Sequence, residues 1–196
     1  MSIFSNKYRS LPTLHYPSFL EAFAYHFYHH QDTINKSIHM TTYPIIIKTI
    51  LVLCAYIPFT IIPPINNIFV AHMFALSPSI LIIVPYLLFY MTFDIIASLI
   101  MIPFLFIIYI LANIIRFYVP YAWIATILLH ILAWVAQAIG HYFCEPKPKS
   151  LADSSKRIFL MHPFFTFIEA LFFFGYRRKM YNETMDIISE YEPIQV

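Results

Sequence analysis

Charged residues, glycine and cysteine are all scarce in this sequence. Asp, Glu, Lys and Arg make up only 11% of its 196 residues, and the chain has two glycines and two cysteines. So little charge beside 60% hydrophobic residues excludes an ordinary soluble globular domain. The two isolated cysteines give neither a disulfide framework nor a metal-binding spacing. No basic stripe with interleaved aromatic residues is present, so we expect no nucleic-acid partner.

Long apolar segments dominate the rest of the chain. Several approach or exceed the roughly 20 residues that cross a bilayer as a helix, and they do not alternate in polarity. Because backbone polar groups must be satisfied internally in lipid, such runs have to be helical. We therefore predict a single-domain, all-α integral membrane helical bundle with about four transmembrane helices. The N-terminal segment has no apolar core behind its basic residues, so a cleaved signal peptide is not expected.

The pattern of polar breaks divides the chain into a polar arm, a membrane-embedded domain at 19–176 and a polar tail. An amphipathic helix precedes the membrane runs, and a further apolar segment, re-entrant or packed on the bundle, follows them. The predicted segments are the arm 1–18, the amphipathic helix 19–30, the membrane runs 44–62, 68–90, 93–112 and 121–143, the apolar segment 158–176, and the tail 177–196. Pro78 and Pro85 are expected to kink the run 68–90.

Lys and Arg are distributed unevenly around the predicted spans. Of the 12, 11 lie at or before residue 48 or after residue 143, while the loops on the other side contain only Arg116. By the positive-inside rule, both termini are expected to be cytoplasmic. This orientation places His30, His39 and His141 at the same membrane face.

One polar stripe interrupts the fourth membrane run. At 100° per residue, a single helical face collects His130, Trp134, Gln137, His141 and Glu145. Ionisable groups within a bilayer are costly, so they are functional-site candidates by default. The chemistry is therefore expected along this stripe.

A second group of polar residues lies around a predicted helix break at 31–33, with Asp32 or Thr33 as the helix cap. His30 precedes the break, and Asn35 and His39 follow it at i,i+4 on one face. The break lets His30 and His39 point into one site. Imidazoles beside a carboxylate suit iron or zinc, and a site at a membrane face suits a lipid substrate. Additional ligands, orienting groups or substrate contacts are expected among Glu145, Gln137, Asn35 and Glu169.

These residues resemble the signatures of the 2-hydroxy fatty acid dioxygenase family, which comprises multi-pass membrane proteins of the endoplasmic reticulum. The resemblance covers about residues 25–175. Its three signatures, in order, are His30-x4-Asn35-x3-His39-x4-Pro44, Trp134-x2-Gln137-x2-Gly140-His141-x3-Glu145, and Pro163-x5-Glu169.

The resemblance implies an iron(II)-dependent reaction in which O2 converts a 2-hydroxy fatty acid to CO2 and the acid one carbon shorter. This is the α-oxidation step of phytosphingosine breakdown. It also implies that His30, His39 and His141 are the metal ligands, perhaps joined by Glu145, with Gln137 and Asn35 nearby. The implied location is the endoplasmic reticulum membrane, with the mitochondrial inner membrane as the alternative.

The remaining histidines have less specific interpretations. His26 and His29 are read as membrane-interface residues, His72 and His130 as structural, and His15 and His162 as undecided. His26-x2-His29-His30 also fits one histidine box of membrane desaturases, but those enzymes need several boxes and no other is present.

A competing, non-enzymatic hypothesis uses the same residues. The chain would then be a structural or lipid-binding subunit of a larger membrane complex that kept the family fold. Polar side chains commonly join helices within membranes, and an oligomer or larger assembly is compatible with both hypotheses.

Overall fold

The computed structural model describes residues 19–30, 32–57, 59–144 and 160–191. This part of the chain is helical apart from turns and one isolated antiparallel bridge between Ile61 and Leu76. In chain order the helices are α1 (Phe19–His29), α2 (Thr33–Ala55), α3 (Ile68–Met73), α4 (Ile80–Met91), α5 (Ile95–Tyr118), α6 (Ala122–Cys144), α7 (His162–Phe173) and α8 (Arg178–Tyr191). The predicted all-α class is confirmed.

The helices form two compact units, with residues 1–36 and 143–196 in the first and residues 37–142 in the second. In the first unit, α1 packs against α7 and α8. Its core is aromatic: the Phe23 ring meets the Phe165 and Phe172 rings edge-on at centroid distances of 5.3 and 5.5 Å. Helix α8 lies in the segment that the sequence analysis treats as a polar tail. It buries Met180, Thr184 and Ile188, one face of an otherwise polar helix.

The second unit contains three helices that are long and apolar enough to cross a membrane, α2, α5 and α6. Their lengths of 23, 24 and 23 residues correspond to about 35 Å, against a hydrocarbon core of about 30 Å. Leu51 and Val52 of α2 pack against Ile108 and Ala112 of α5 to form a buried apolar core. Most other large apolar side chains on α5 and α6 face outward, as lipid contact requires.

The predicted membrane run 68–90 is not one helix in the structure. It is divided into α3 and α4 by residues 74–79, where Pro78 lacks the N–H that a continuous helix needs. Side chains of α5 satisfy the backbone of this break. Tyr109 donates its hydroxyl to Ala75 O at 2.6 Å and accepts from Ser77 N at 3.1 Å, and Asn113 Nδ2 donates to Ala75 O at 2.9 Å. The predicted count of four spans therefore stays a prediction.

Candidate metal centre

A capped helix start fixes the residues around the first histidines. The Asp32 carboxylate accepts from the backbone N–H groups of Ile34 and Asn35, at 2.9 Å each, so Asp32 is the cap of α2 as predicted. At the end of α1, the His30 N–H bonds to the carbonyls of His26 and Phe27. The chain therefore ends one helix at His29 and begins the next at Thr33, which places Asn35 beside His30.

Three imidazoles converge inside the first unit, and we call them the histidine cluster: His26, His30 and His162. His26 and His30 are one helical turn apart, with ring centroids 4.5 Å from each other. His162, at the first turn of α7, meets their ring planes edge-on at 4.5 and 5.3 Å. All three are buried, and one nitrogen from each lies within 4.8 Å of the others.

The histidine cluster fits a divalent transition metal. Imidazole nitrogens bind zinc, iron, copper and nickel, and two ligand atoms that each lie about 2.1 Å from one metal are at most about 4.2 Å apart. Because the three nitrogens already lie within 4.8 Å of one another, small side-chain rotations would complete such a site. The end of α1 also favours a cation, because the carbonyls of its last turn carry partial negative charge.

A buried carboxylate stands beside the histidine cluster. Glu169 Oε1 lies 3.4 Å from His26 Nε2, and Glu169 is only 5% exposed. Burial raises the pKa of Glu169 to about 7, against the opposing effect of the nearby Lys36 and His30. Glu169 lies two turns after His162 on α7, so one helix supplies both a ring nitrogen and the carboxylate.

Two further polar groups adjoin the histidine cluster. The side-chain amide of Asn35 lies 3.2 Å from His30 Nδ1, and both residues are buried. The ammonium group of Lys36 lies 3.4 Å from the centroid of the Phe27 ring and is half-buried. Aromatic rings also contact the histidine cluster, and the centroid of the Phe165 ring lies 5.2 Å from that of the His26 ring. The histidine cluster thus has a carboxylate, an amide and an aromatic shell beside it, with the Lys36 cation close to the carboxylate.

The second unit contains three of the other predicted site residues, His39, Gln137 and His141. Three contacts join α2 to α6, and we call them the polar ladder. Thr49 Oγ1 lies 2.8 Å from His130 Nδ1, and Gln137 Nε2 donates to Thr42 Oγ1 at 2.9 Å. The rings of His39 and His141 lie 4.8 Å apart. Since partner numbers rise along α2 as they fall along α6, these two helices are antiparallel.

His130 has a structural role in the polar ladder, as predicted. Trp134 Nε1 donates to its Nε2 at 3.0 Å, so its Nδ1 carries the hydrogen that is donated to Thr49. The Thr49 hydroxyl in turn donates to Ile46 O at 2.8 Å. Both ring nitrogens of His130 are therefore engaged. His72 is likewise paired, with its Nδ1 3.1 Å from the hydroxyl of Tyr118.

The predicted ligand set His30, His39 and His141 draws on both units, and binding of one metal by all three stays a prediction. Glu145, the predicted carboxylate of the stripe, lies outside the described residues. Gln137, predicted near the metal, is buried in the polar ladder.

Sequence reasoning missed two members of the histidine cluster. It placed His26 at a membrane interface, whereas the structure buries it, and it left His162 undecided. The available signal was helical spacing. His26 and His30 share a face of α1, and His162, Thr166 and Glu169 share a face of α7, within otherwise apolar surroundings.

Comparison of the chain with known protein families, curated proteins and solved structures finds no match. Its membership of the 2-hydroxy fatty acid dioxygenase family therefore stays a prediction from the sequence.

Proposed function

We propose that this chain is an iron(II)-dependent membrane dioxygenase that converts a 2-hydroxy fatty acid and O2 to the acid one carbon shorter, CO2 and water. The observation that carries the proposal is the histidine cluster, in which three buried imidazoles present nitrogens within 4.8 Å of one another. Bound iron(II) supplies the redox chemistry with O2 that protein side chains lack. Three protein nitrogens leave coordination positions for substrate and O2.

The side chains around the histidine cluster have separate roles in this proposal. Glu169 Oε1, which lies 3.4 Å from His26 Nε2, would accept the hydrogen of that nitrogen, so that Nδ1 of this ring would be the ligand atom. Asn35 holds Nδ1 of His30, which leaves Nε2 of that ring for the metal. The Lys36 ammonium attracts the substrate carboxylate, and the aromatic shell excludes water from the reacting atoms.

We also propose four membrane crossings. The polar ladder makes α2 and α6 antiparallel, and α5 joins α6 through the short connection at 119–121, so α5 is parallel to α2. Between α2 and α5 the chain must then return across the membrane. Helix α4 spans only about 18 Å. Helix α3 and the break at residues 74–79 supply the rest of the length needed to cross the membrane. Both ends of the four-crossing segment then lie on one side, in line with cytoplasmic termini in the endoplasmic reticulum membrane.

The second candidate function is a structural or lipid-binding subunit. The polar ladder favours it, because His130, Gln137 and their threonine partners join helices without performing chemistry. In that case the histidine cluster would bind no metal, and folding would not depend on iron.

The deciding experiment uses full-length protein purified in detergent, with bound iron measured and 2-hydroxypalmitate supplied under O2. Iron near one per chain and release of pentadecanoate by the wild type, both lost in His162→Ala, support the proposal. His72→Gln is the matched control, because His72 lies outside the histidine cluster, and it should retain both. Folded wild type that binds no iron and forms no product after addition of iron(II) would rule the enzyme out. His39→Ala and His141→Ala test the ligand set that the sequence predicts.

A further inference from the structure

The turn between α7 and α8 exposes two large aromatic rings. Phe173 and Phe174 are 80% and 87% exposed, whereas Phe164 and Phe165 on the same helix are 1% and 3% exposed. The first unit therefore buries Phe164 and Phe165 and partly buries Phe167 and Phe172, but leaves Phe173 and Phe174 outside. Exposed, adjacent rings at the tip of a turn are typical of segments that enter the boundary between headgroups and acyl chains.

Three cations follow these rings directly. Arg177, Arg178 and Lys179 are all exposed, and the Lys179 side chain is 91% exposed with Glu183 3.7 Å away at i,i+4. The sequence from 173 to 183 contains three cations and one carboxylate, so this stretch carries a net positive charge. Basic residues beside an apolar insertion are the pattern that anionic lipid surfaces attract.

Hydrogen bonds fix the backbone between the two exposed rings and the three cations. Gly175 has φ of +79°, and the N–H groups of Gly175 and Tyr176 bond to the carbonyls of Phe172 and Leu171, closing the end of α7. Arg177 also has positive φ, +46°. Glycine or asparagine adopts that conformation more easily, so an arginine there points to a use for its charge.

We propose that this turn, Phe173–Lys179, is a membrane-surface anchor that inserts Phe173 and Phe174 below the headgroups and binds anionic phospholipid through Arg177, Arg178 and Lys179. Charge complementarity favours a lipid surface as the partner, and so do the three helices of the same chain that are long and apolar enough to cross a membrane. The anchor is independent of the proposed enzymatic function.

The test uses the full chain in nanodiscs of phosphatidylcholine, with or without phosphatidylserine. A nitroxide is placed at Phe174→Cys in a Cys54→Ala, Cys144→Ser background, and its collisions with O2 and with a water-soluble nickel chelate report its depth. The exposed α8 residue Asn182 supplies the control, as Asn182→Cys. The label at position 174 should collide more often with O2 than with the nickel chelate, and should lie deeper when phosphatidylserine is present. The label at position 182 should collide more often with the nickel chelate in both membranes.

Substituting Arg177, Arg178 and Lys179 by glutamine should abolish the phosphatidylserine-dependent shift in depth. Three results would overturn the proposal. The first is a label at 174 as accessible to nickel as the label at 182. The second is a label shielded from both reagents, which would indicate a protein partner. The third is a label at 174 whose depth changes neither with phosphatidylserine nor with the glutamine substitutions, since the anionic lipid would then have no role.

Discussion

The side-chain amide of Gln137 donates a 2.9 Å hydrogen bond to the hydroxyl of Thr42, and the two residues lie 95 positions apart in the sequence. Thr42 passes its own hydrogen to Ile38 O at 2.7 Å, so the bond network continues into the backbone of α2. This contact lies between the Thr49–His130 and His39–His141 contacts and fixes the register of α2 against α6.

Gln137→Leu should destabilise the folded protein by about 1 kcal/mol, the usual size of an interhelical hydrogen bond in a membrane. A double-mutant cycle with Thr42→Val, measured as the free energy of unfolding in detergent, should give a coupling energy near 0.6 kcal/mol. Strictly additive effects of the two substitutions would show that the contact is not formed. Leu132→Ile, on the exposed side of α6, is the control and should change little.

Tyr109→Phe should cost about 1 to 3 kcal/mol of stability. The substitution leaves Ser77 N without its acceptor and removes one of the donors to Ala75 O, at buried positions between α3 and α4. Tyr118→Phe is the matched control on the same helix. Its hydroxyl contacts His72 at an exposed position, so its loss should stay within about 0.5 kcal/mol. Equal losses in the two variants would contradict the proposed role of Tyr109 at the break.

Glu169→Gln should weaken metal binding by about 10- to 100-fold, the usual effect of losing a carboxylate that orients a metal-bound histidine. Titration with cobalt(II), followed by its visible absorption, measures this change without requiring turnover. Glu183→Gln removes an exposed carboxylate on α8 instead, and cobalt affinity should be unchanged. If both variants bind cobalt like the wild type, Glu169 does not orient a ligand.

Glu169 should also make the stability of the metal-free folded protein depend on pH. Burial raises its folded-state pKa to about 7 from an ordinary value of 4.5, so the folded protein binds this proton more tightly than the unfolded chain. The associated stabilisation is present below about pH 4.5 and is lost as the pH rises to about 7, in total on the order of 3 kcal/mol. The difference in stability between wild type and Glu169→Gln, measured at several pH values with chelator, should therefore change across this window. A pH-independent difference would show that the Glu169 carboxyl titrates normally.

The sequence predicted the helical class because apolar runs of membrane length leave the backbone no other way to satisfy its polar groups. It also predicted Asp32 or Thr33 as the cap of α2 and a structural role for His130, since both depend on local spacing. It predicted a kink at Pro78 in run 68–90, but not the division of that run into two helices. That break is stabilised by Tyr109 and Asn113 from more than 30 residues away, and hydropathy alone does not encode such contacts.

The candidate site was predictable only in part. Asn35 was placed near a histidine because both sit beside a recognisable helix break. The association of His26 with His162 requires α1 and α7 to pack face to face, and no periodicity within one helix reveals which other helix it meets. Glu169 was predicted as a possible ligand, orienting group or substrate contact, yet its neighbour His26 became apparent only from the folded chain.

The hydroxyl bonds of α2 have a consequence for biosynthesis. Thr42 and Thr49 donate to carbonyls of their own helix, so α2 can enter lipid with these groups already satisfied. Gln137 has no such arrangement and needs Thr42 as its acceptor. Ribosomes add 5 to 20 residues per second, so about 5 to 20 s pass between the synthesis of Thr42 and that of Gln137. Helix α2, whose hydroxyls bond within their own helix, is therefore inserted first. Helix α6 follows when Thr42, the acceptor for Gln137, is already in the bilayer.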